Sequence, residues 1–436
     1  MAIVRASGPH ARAVAARIFR AAGPGGDLPP RAAVYGRIVE PGGTTIDRGL
    51  ALFFPGPASY TGEDVVEFHV HGSPAVARDT LLAALAAGAR LAQPGEFTRR
   101  AFEAGKLDLS AAEAVADLIA AEHRSQARAA VARLSGGLAA VVDRASATID
   151  GIAEELAAAL DFPDEVRAPA ATDLAERVAA LDATLAALAG TWEHGRLVRE
   201  GIAIAIVGPP NAGKSSLLNA LLGADRALVS AIAGTTRDTV EETLALGGGA
   251  NARLIDTAGL RDAADALEAA GIARTRATLA QATLALVVVD GSQPLDASTR
   301  EVLGATRGRD RVVLFNKADL GRAGYAARDA AEADALTGSI RDHATVDAVR
   351  SALRDAAGGE SIDLARPHLG TARQADAVLE ARRALAAVTE TLASGDPVDL
   401  TIGDLLAARA ALGELSGRDA SETLLDGIFA RFCIGK

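Results

Sequence analysis

Ile202-Ala203-Ile204-Ala205-Ile206-Val207-Gly208-Pro209-Pro210-Asn211-Ala212-Gly213-Lys214-Ser215 joins an unbroken apolar run to a glycine-bracketed loop that ends in lysine and serine. Six consecutive apolar residues bounded by glycine read as a strand buried on both faces, the signature of a parallel sheet. The helical run Ser216–Leu222 follows, so the loop sits between strand and helix. This is the G-x-x-x-x-G-K-S pattern in the context that phosphate binding requires. The glycines let backbone N–H groups turn inward, and the helix N-terminus adds the positive end of its dipole. Lys214 is then the side chain that reaches the β- and γ-phosphates, and Ser215 the hydroxyl that ligates Mg²⁺. Similar apolar runs at Leu284–Val289 and Arg311–Phe315, separated by helical stretches, predict a doubly wound α/β domain.

Three further motifs follow in order. Asn316-Lys317-Ala318-Asp319 comes straight after the Arg311–Phe315 run. A carboxylate at Asp319 can accept from the N1–H and 2-amino group of guanine, which adenine does not offer, so GTP is expected over ATP. Asp256-Thr257-Ala258-Gly259 supplies a carboxylate that holds Mg²⁺ through water and an N–H for the γ-phosphate. Gly234-Thr235-Thr236-Arg237-Asp238 supplies Thr236 as the second hydroxyl ligand of Mg²⁺. Together these predict a GTP-hydrolysing domain. Leu260 stands where Ras-type enzymes place the glutamine that orients the attacking water, and it cannot do so; Glu268, farther along, is a replacement carboxylate. Asn211, inside the loop, offers a side-chain oxygen to a monovalent cation where an arginine finger would otherwise put positive charge.

The α/β segment lies within different textures. The first hundred residues mix short apolar runs (Ala2–Val4, Ala51–Phe54, Val65–Val70) with turn clusters, which reads as a small α+β domain. From about Leu107 to Arg199, and again after Gly359, alanine-rich sequence with helical spacing dominates, and Pro163 should break or kink one helix. The expected architecture is multidomain α+β. It comprises residues 1–105, a helical domain split into 106–199 and 359–436, and the α/β domain 200–358 inserted between them. The 436 residues carry 56 acids against 45 Lys and Arg and a single cysteine, Cys433. One cysteine excludes intrachain disulfides and sites built on several thiolates, and the cytoplasm is the expected compartment. No run approaches the ~20 apolar residues of a membrane helix. The acidic balance leaves nucleic-acid binding to a local patch or a partner. His69-Val70-His71 puts two imidazoles on one strand face without a third metal ligand.

With the loop extended to Gly208–Ala220, with Ala233-Gly234-Thr235-Thr236-Arg237-Asp238, and with the terminal Phe432-Cys433-Ile434-Gly435-Lys436, the chain resembles the MnmE (TrmE) family of tRNA uridine-modification GTPases. Phe54-Pro55-Gly56-Pro57, Tyr60-Thr61-Gly62-Glu63-Asp64, Pro94-Gly95-Glu96-Phe97, Lys106-Leu107-Asp108-Leu109 and Asp161-Phe162-Pro163-Asp164-Glu165 extend the likeness over the whole length. The resemblance implies an N-terminal tetrahydrofolate-binding-like domain that dimerises, a discontinuous helical domain and an inserted Ras-like GTPase domain. It also implies K⁺-dependent hydrolysis across a homodimer, with Asn211, Ser230, Ile232 and Thr235 around the K⁺ ion and Glu268 acting on water. GTP contacts then fall on Asn211, Ala212, Gly213, Lys214, Ser215 and Ser216, on Ser230, Ala231, Ile232, Ala233, Gly234, Thr235 and Thr236, and on Asp256, Thr257, Ala258 and Gly259. For the base they fall on Asn316, Lys317, Ala318, Asp319, Thr337, Gly338 and Ser339. That last triplet departs from the family's usual Ser-Ala loop.

By the same resemblance Arg5, Glu67, Lys106 and Lys436 contact a 5-formyl- or 5,10-methylene-tetrahydrofolate, and Cys433 is a catalytic nucleophile or redox group. A heterotetramer with the FAD-dependent MnmG subunit would add an aminomethyl or carboxymethylaminomethyl group at C5 of the wobble uridine (U34) of certain tRNAs. Family members carry a strand and a Pro-Pro-Gly-Arg-Gly-like turn ahead of the match to Ala2-Ile3-Val4-Arg5, so that element is expected to be missing here. A ribosome-assembly GTPase shares the loop asparagine and the Gly-Thr-Thr-Arg-Asp segment but would bring a KH-type Gly-x-x-Gly RNA module or tandem GTPase domains, whereas this sequence has one P-loop flanked by alanine-rich helical stretches. A non-enzymatic folate-binding scaffold is opposed by Lys214, Asp256 and Glu268 all being in place.

Overall fold

A computed structural model of the chain describes residues 1–23, 27–226, 242–247, 250–255, 277–321, 332, 334–357, 366–395, 397–433 and 435. These residues form two compact units. One gathers Met1–Ala120, Arg133–Ala189 and Arg373–Lys436; the other gathers Ala121–Ala132 and Gly190–Ala372.

The first unit begins with an antiparallel five-stranded sheet: β1 (Ala2–Ser7), β2 (Phe19–Ala21), β3 (Val34–Val39), β4 (Thr45–Phe54) and β5 (Val65–Val70), in the order β1-β5-β4-β3-β2. The three apolar runs noted in the sequence lie in β1, β4 and β5. Strand alternation sends Ala51, Phe53, Val66, Phe68 and Val70 to one face, where they pack in one core with Val14 and Ile18 of helix Ala11–Ile18 and Ala83 of helix Pro74–Ala86. The opposite face carries Arg5, Glu67, His69, Leu50 and Leu52. Register on that face is fixed: Arg5 stands opposite Glu67, which stands opposite Leu52.

The rest of the first unit is helical, with Glu96–Glu103, Leu109–Ala120, Gly137–Asp161, Ala171–Ala189, Ala372–Ser394, Val398–Ser416 and Glu422–Phe429 among its helices. The long helix Gly137–Asp161 stops two residues before Pro163, where the next N–H cannot continue the ladder and the residue before proline is pushed out of helical geometry. Asp108 starts Leu109–Ala120 by accepting from the Ala111 N–H at 2.8 Å. Segments before and after the second unit are joined by ion pairs: Glu113 with Arg373 (2.9 Å), Asp143 with Arg418 (2.9 Å), Asp150 with Arg409 (3.1 Å) and Asp182 with Arg382 (2.7 Å). In each of these the acid comes from the earlier segment and the arginine from the later one. Arg99 reverses the polarity, reaching Asp426 and Glu422 at 2.6 Å. Exposed pairs of this kind each contribute up to about 1 kcal/mol. The buried Glu113 carboxylate is instead fully engaged, taking Arg373 Nε and Nη2 at 2.9 Å and Gln374 Nε2 at 2.7 Å.

The second unit is built on a six-stranded sheet: β6 (Ile202–Val207), β7 (Glu242–Gly247), β8 (Ala250–Ile255), β9 (Leu284–Asp290), β10 (Arg311–Asn316) and β11 (Leu336–Thr337). Its order is β11-β10-β9-β6-β8-β7, parallel throughout except for the edge strand β7. All six residues of β6 are buried. Ile202, Ile204 and Ile206 pack with Leu217, Leu218 and Leu221 of helix Lys214–Arg226 and Val349 and Leu353 of helix His343–Ala356. Ala205 and Val207 pack on the other side with Leu303 of helix Ala297–Ala305. Residues 121–132 join this unit through Ser125, paired with Asn251, and through Gln126 Nε2, which donates to the Arg199 carbonyl at 3.1 Å.

Candidate functional site

The polar groups of the second unit collect where its parallel strands end, the position at which open α/β sheets present their ligand sites. β6 ends at Val207, and the loop 208–213 turns the chain into helix Lys214–Arg226. Two features force glycine here. Gly213 has φ +103°, and a Cβ on it would lie 2.4 Å from Asn316 Nδ2; a Cβ on Gly208 would lie 2.1 Å from the Val288 carbonyl oxygen. Asn211 is also left-handed, at φ 60°, a conformation asparagine tolerates better than most side chains. Its side chain is exposed. Lys214 Nζ curls back over the loop and donates to the carbonyls of Gly208 (2.9 Å) and Pro209 (2.8 Å). Burial pushes the Lys214 ammonium below its ordinary value, so an anion brought to the loop would be met by a partly desolvated charge.

Asn316, at the end of β10, is buried and straps this loop to the next one. Its Nδ2 donates to the Ala212 carbonyl at 2.9 Å, and its Oδ1 accepts from the Ile340 N–H at 3.1 Å. One side chain thus fixes the distance between the loop 208–213 and the segment Thr337-Gly338-Ser339-Ile340. Lys317, left-handed at φ 64°, pairs with Asp290 Oδ2 at 2.7 Å, and Asp290 also accepts from Ser292 Oγ at 2.6 Å. Burial raises the Asp290 carboxyl, but the hydrogen bonds from Lys317 and Ser292 prevail and hold it below its ordinary value. Ala318 N–H donates to the Gly338 carbonyl, and Gly338 N–H to Phe315, so the altered triplet 337–339 keeps a fixed backbone beside Asp319. Asp319 Oδ2 accepts from Arg341 Nη1 at 3.3 Å. Asn211 through Ser216, Asn316 through Asp319 and Thr337 through Ser339 therefore belong to one rim of the sheet. Ser230 through Thr236, Asp256 through Gly259, Glu268 and Lys436 lie outside the described residues.

A second cluster occupies the face of the five-stranded sheet opposite helices Ala11–Ile18 and Pro74–Ala86, where Phe97 of helix Glu96–Glu103 also lies. Arg5 Nε and Nη2 donate to Glu67 Oε1 at 2.8 and 2.7 Å, and His69 Nε2 meets Glu67 Oε2 at 3.1 Å. The Arg5 guanidinium also stands 5.7 Å from the centre of the Tyr60 ring and 5.5 Å from that of Phe97. Burial raises the Glu67 carboxyl, yet His69 and Arg5 together hold it below the ordinary carboxylate value. The two charges singled out in the sequence as separate ligand contacts are thus bound to each other. Lys106 is exposed and lies beside Gly62, so the segment Tyr60-Thr61-Gly62 touches both Arg5 and Lys106. His71 binds Asp47 rather than sharing a ligand with His69. Cys433 is exposed; its carbonyl accepts from the Gly95 N–H at 3.5 Å while the neighbouring Phe432 packs with Phe429, Leu425 and Leu109.

Sequence reasoning missed Asp290, Ile340, Arg341, His69, Tyr60 and Phe97. Tyr60 and Phe97 sat inside quoted motifs without a role. Asp290 ends an apolar run in Asp290-Gly291-Ser292, which is a turn signal.

The sheet order and the strand-to-helix loop define a P-loop α/β protein, joined to a unit with an antiparallel sheet and helices. The family model described as GTP-binding protein TrmE N-terminus matches residues 1–106, and that of the MnmE helical domain matches residues 109–433. The tRNA modification GTPase MnmE of Symbiobacterium thermophilum is 44% identical over 100% of this chain and 96% of its own length. Those of Moorella thermoacetica and Halorhodospira halophila are 41% and 43% identical, again over all of this chain and over 96% and 93% of their own lengths. The chain belongs to the MnmE family of tRNA modification GTPases. Among the described residues no helix is long and apolar enough to cross a membrane.

Proposed function

We propose that this chain is a cytoplasmic, K⁺-dependent GTP hydrolase of tRNA wobble-uridine modification. In this reading residues 200–358 form a Ras-like GTPase domain inserted into the helical domain 106–199 and 359–436, and residues 1–105 form the folate-binding and dimerisation domain. The observation that carries it is the Asn316 strap, which holds a lysine-bearing, left-handed loop at a set distance from Asp319. A loop at one end and a carboxylate at the other match a triphosphate and a guanine base.

The chain's own groups divide the work. Lys214 leaves the Gly208 and Pro209 carbonyls for phosphate oxygens, and the backbone N–H groups of 211–215 bind the β-phosphate. Ser215 and Thr236 hold Mg²⁺, with Asp256 in support through water; Asn211, Ser230, Ile232 and Thr235 hold K⁺. The exposed, left-handed Asn211 fits that use, because its side-chain oxygen is uncommitted to the core. When bound, K⁺ supplies fixed positive charge beside the β–γ bridge. Glu268 orients the attacking water in place of a glutamine. On the other unit, Arg5, Glu67, Lys106 and Lys436 hold a 5-formyl- or 5,10-methylene-tetrahydrofolate. The Arg5–Glu67 pair orients Glu67 to accept from the pterin amino groups. Cys433, next to Gly95, serves the transfer to C5 of U34 with the FAD-dependent MnmG subunit in a heterotetramer built on a homodimer.

The test is GTP turnover in KCl against NaCl. Turnover at least about tenfold faster in K⁺, with the dependence abolished in Asn211→Ala, is the expected result. A folded chain with equal turnover in both salts contradicts K⁺ dependence, and no turnover in either contradicts the hydrolase reading.

A further inference from the structure

Arg341, outside the predicted base-binding segments, forms an ion pair with Asp319. Its Nη1 donates to Asp319 Oδ2 at 3.3 Å. The residue is 81% exposed at the side chain, so no core packing holds it there. Its backbone is what fixes it. Ile340 N–H is bound to Asn316, Arg341 N–H donates to Ser339 Oγ at 3.3 Å, and Asp342 begins helix His343–Ala356 by accepting from Ala344 N–H at 3.1 Å. The same strap that sets the base-recognition segment therefore delivers a guanidinium to the recognition carboxylate.

The chemistry of that encounter is specific. Guanine is recognised by a carboxylate through two adjacent N–H groups on an amidine-like edge, N1–H and the 2-amino group. A guanidinium presents two adjacent N–H groups of the same geometry, with a full positive charge. We propose that Arg341 is an internal surrogate for the guanine edge, competing with the base for Asp319 and so weakening guanine-nucleotide binding at this site. The inference rests on the reading of Asp319 as the guanine contact. Competition is mild, because the contact is exposed and single; its removal corresponds to about a two- to fivefold change in affinity. It is also screened by salt.

The experiment is titration of the full-length protein with a fluorescent GDP analogue. Arg341→Ala is expected to bind about two- to fivefold more tightly than wild type, with faster association or slower release, and the difference should shrink as NaCl is raised from about 0.05 to 0.5 M. Asp319→Asn, which turns the acceptor pair into a donor and an acceptor, should shift preference toward xanthosine diphosphate. In that background Arg341→Ala should leave xanthosine diphosphate affinity unchanged. Equal or weaker GDP binding by Arg341→Ala overturns the surrogate, as does a persisting effect in the Asp319→Asn background. If folded wild-type protein binds no guanine nucleotide at all, the functional reading itself fails, which is a different result.

Discussion

In the six-stranded sheet all of β6 is buried, Asn316 closes β10, and Lys214 and Asp319 stand beyond the strand ends. In the five-stranded sheet one face is covered by helices, and Arg5, Glu67 and His69 stand in mid-strand on the other. The two arrangements follow from strand direction. Parallel strands need crossovers that cover both faces, so polar chemistry is pushed to the loops at their ends. An antiparallel sheet can leave a face for side chains, and there cross-strand register decides which groups meet. A site of the first kind is governed by backbone conformation, at Gly213 and Asn211. A site of the second kind is governed by paired charges. Substitutions should therefore separate the two units, each disabling one ligand while sparing the other.

Lys214→Ala should have the largest effect, lowering GTP turnover at least about 100-fold, measured as phosphate release, with folate binding unchanged. Gly213→Ala comes next. The left-handed backbone and the Cβ contact with Asn316 Nδ2 should displace the strap, weaken GDP at least about tenfold and cost about 2 kcal/mol in denaturant unfolding. On the antiparallel side, Glu67→Gln should weaken 5-formyl-tetrahydrofolate about tenfold in calorimetric titration, because it leaves the Arg5 charge without its partner, and should not change GTP turnover. Loss of GTP turnover in Glu67→Gln would erase the distinction between the sites.

The smallest effect concerns acid. Hydrogen bonds from Arg90, outweighing burial, together with those from Gln93 N–H and Arg100 bring the Glu96 carboxyl down to about 2. A carboxyl lowered on folding stabilises above its unfolded value and loses that contribution as pH falls through the folded value. The antiparallel unit should accordingly lose about 1 kcal/mol from this group between pH 4.5 and about 2, discounted for the exposed Arg90 partner. Thermal melts of Glu96→Gln against wild type over that window should converge at the acid end.

The same contrast explains what could be read beforehand. Ile202–Val207 and its loop were legible because a buried parallel strand and a glycine-bracketed turn are both local patterns. Asn316 was legible as a motif residue, but its role as a strap was not, because Ile340 reaches it only through the pairing of β11 with β10. Arg5 and Glu67 could be named through family likeness, whereas their mutual pairing depends on the register of β1 against β5. Tyr60 and Phe97 meet Arg5 only in three dimensions. Alanine-rich texture identified Arg124–Leu134 and Trp192–Glu200 as helical without indicating that Ser125 would pair with Asn251 beside the parallel sheet. The acid-before, arginine-after pattern of Glu113–Arg373 and Asp150–Arg409 was likewise invisible, since neither member announces its distant partner.

The central claim is that GTP hydrolysis at the strand-end site serves uridine modification, and it is tested most directly by nucleoside mass spectrometry of tRNA from cells lacking this gene. The account predicts loss of the C5-modified wobble uridine, restored by the wild-type gene and by neither Lys214→Ala nor Cys433→Ser. Unchanged C5 modification in the deleted cells would contradict it.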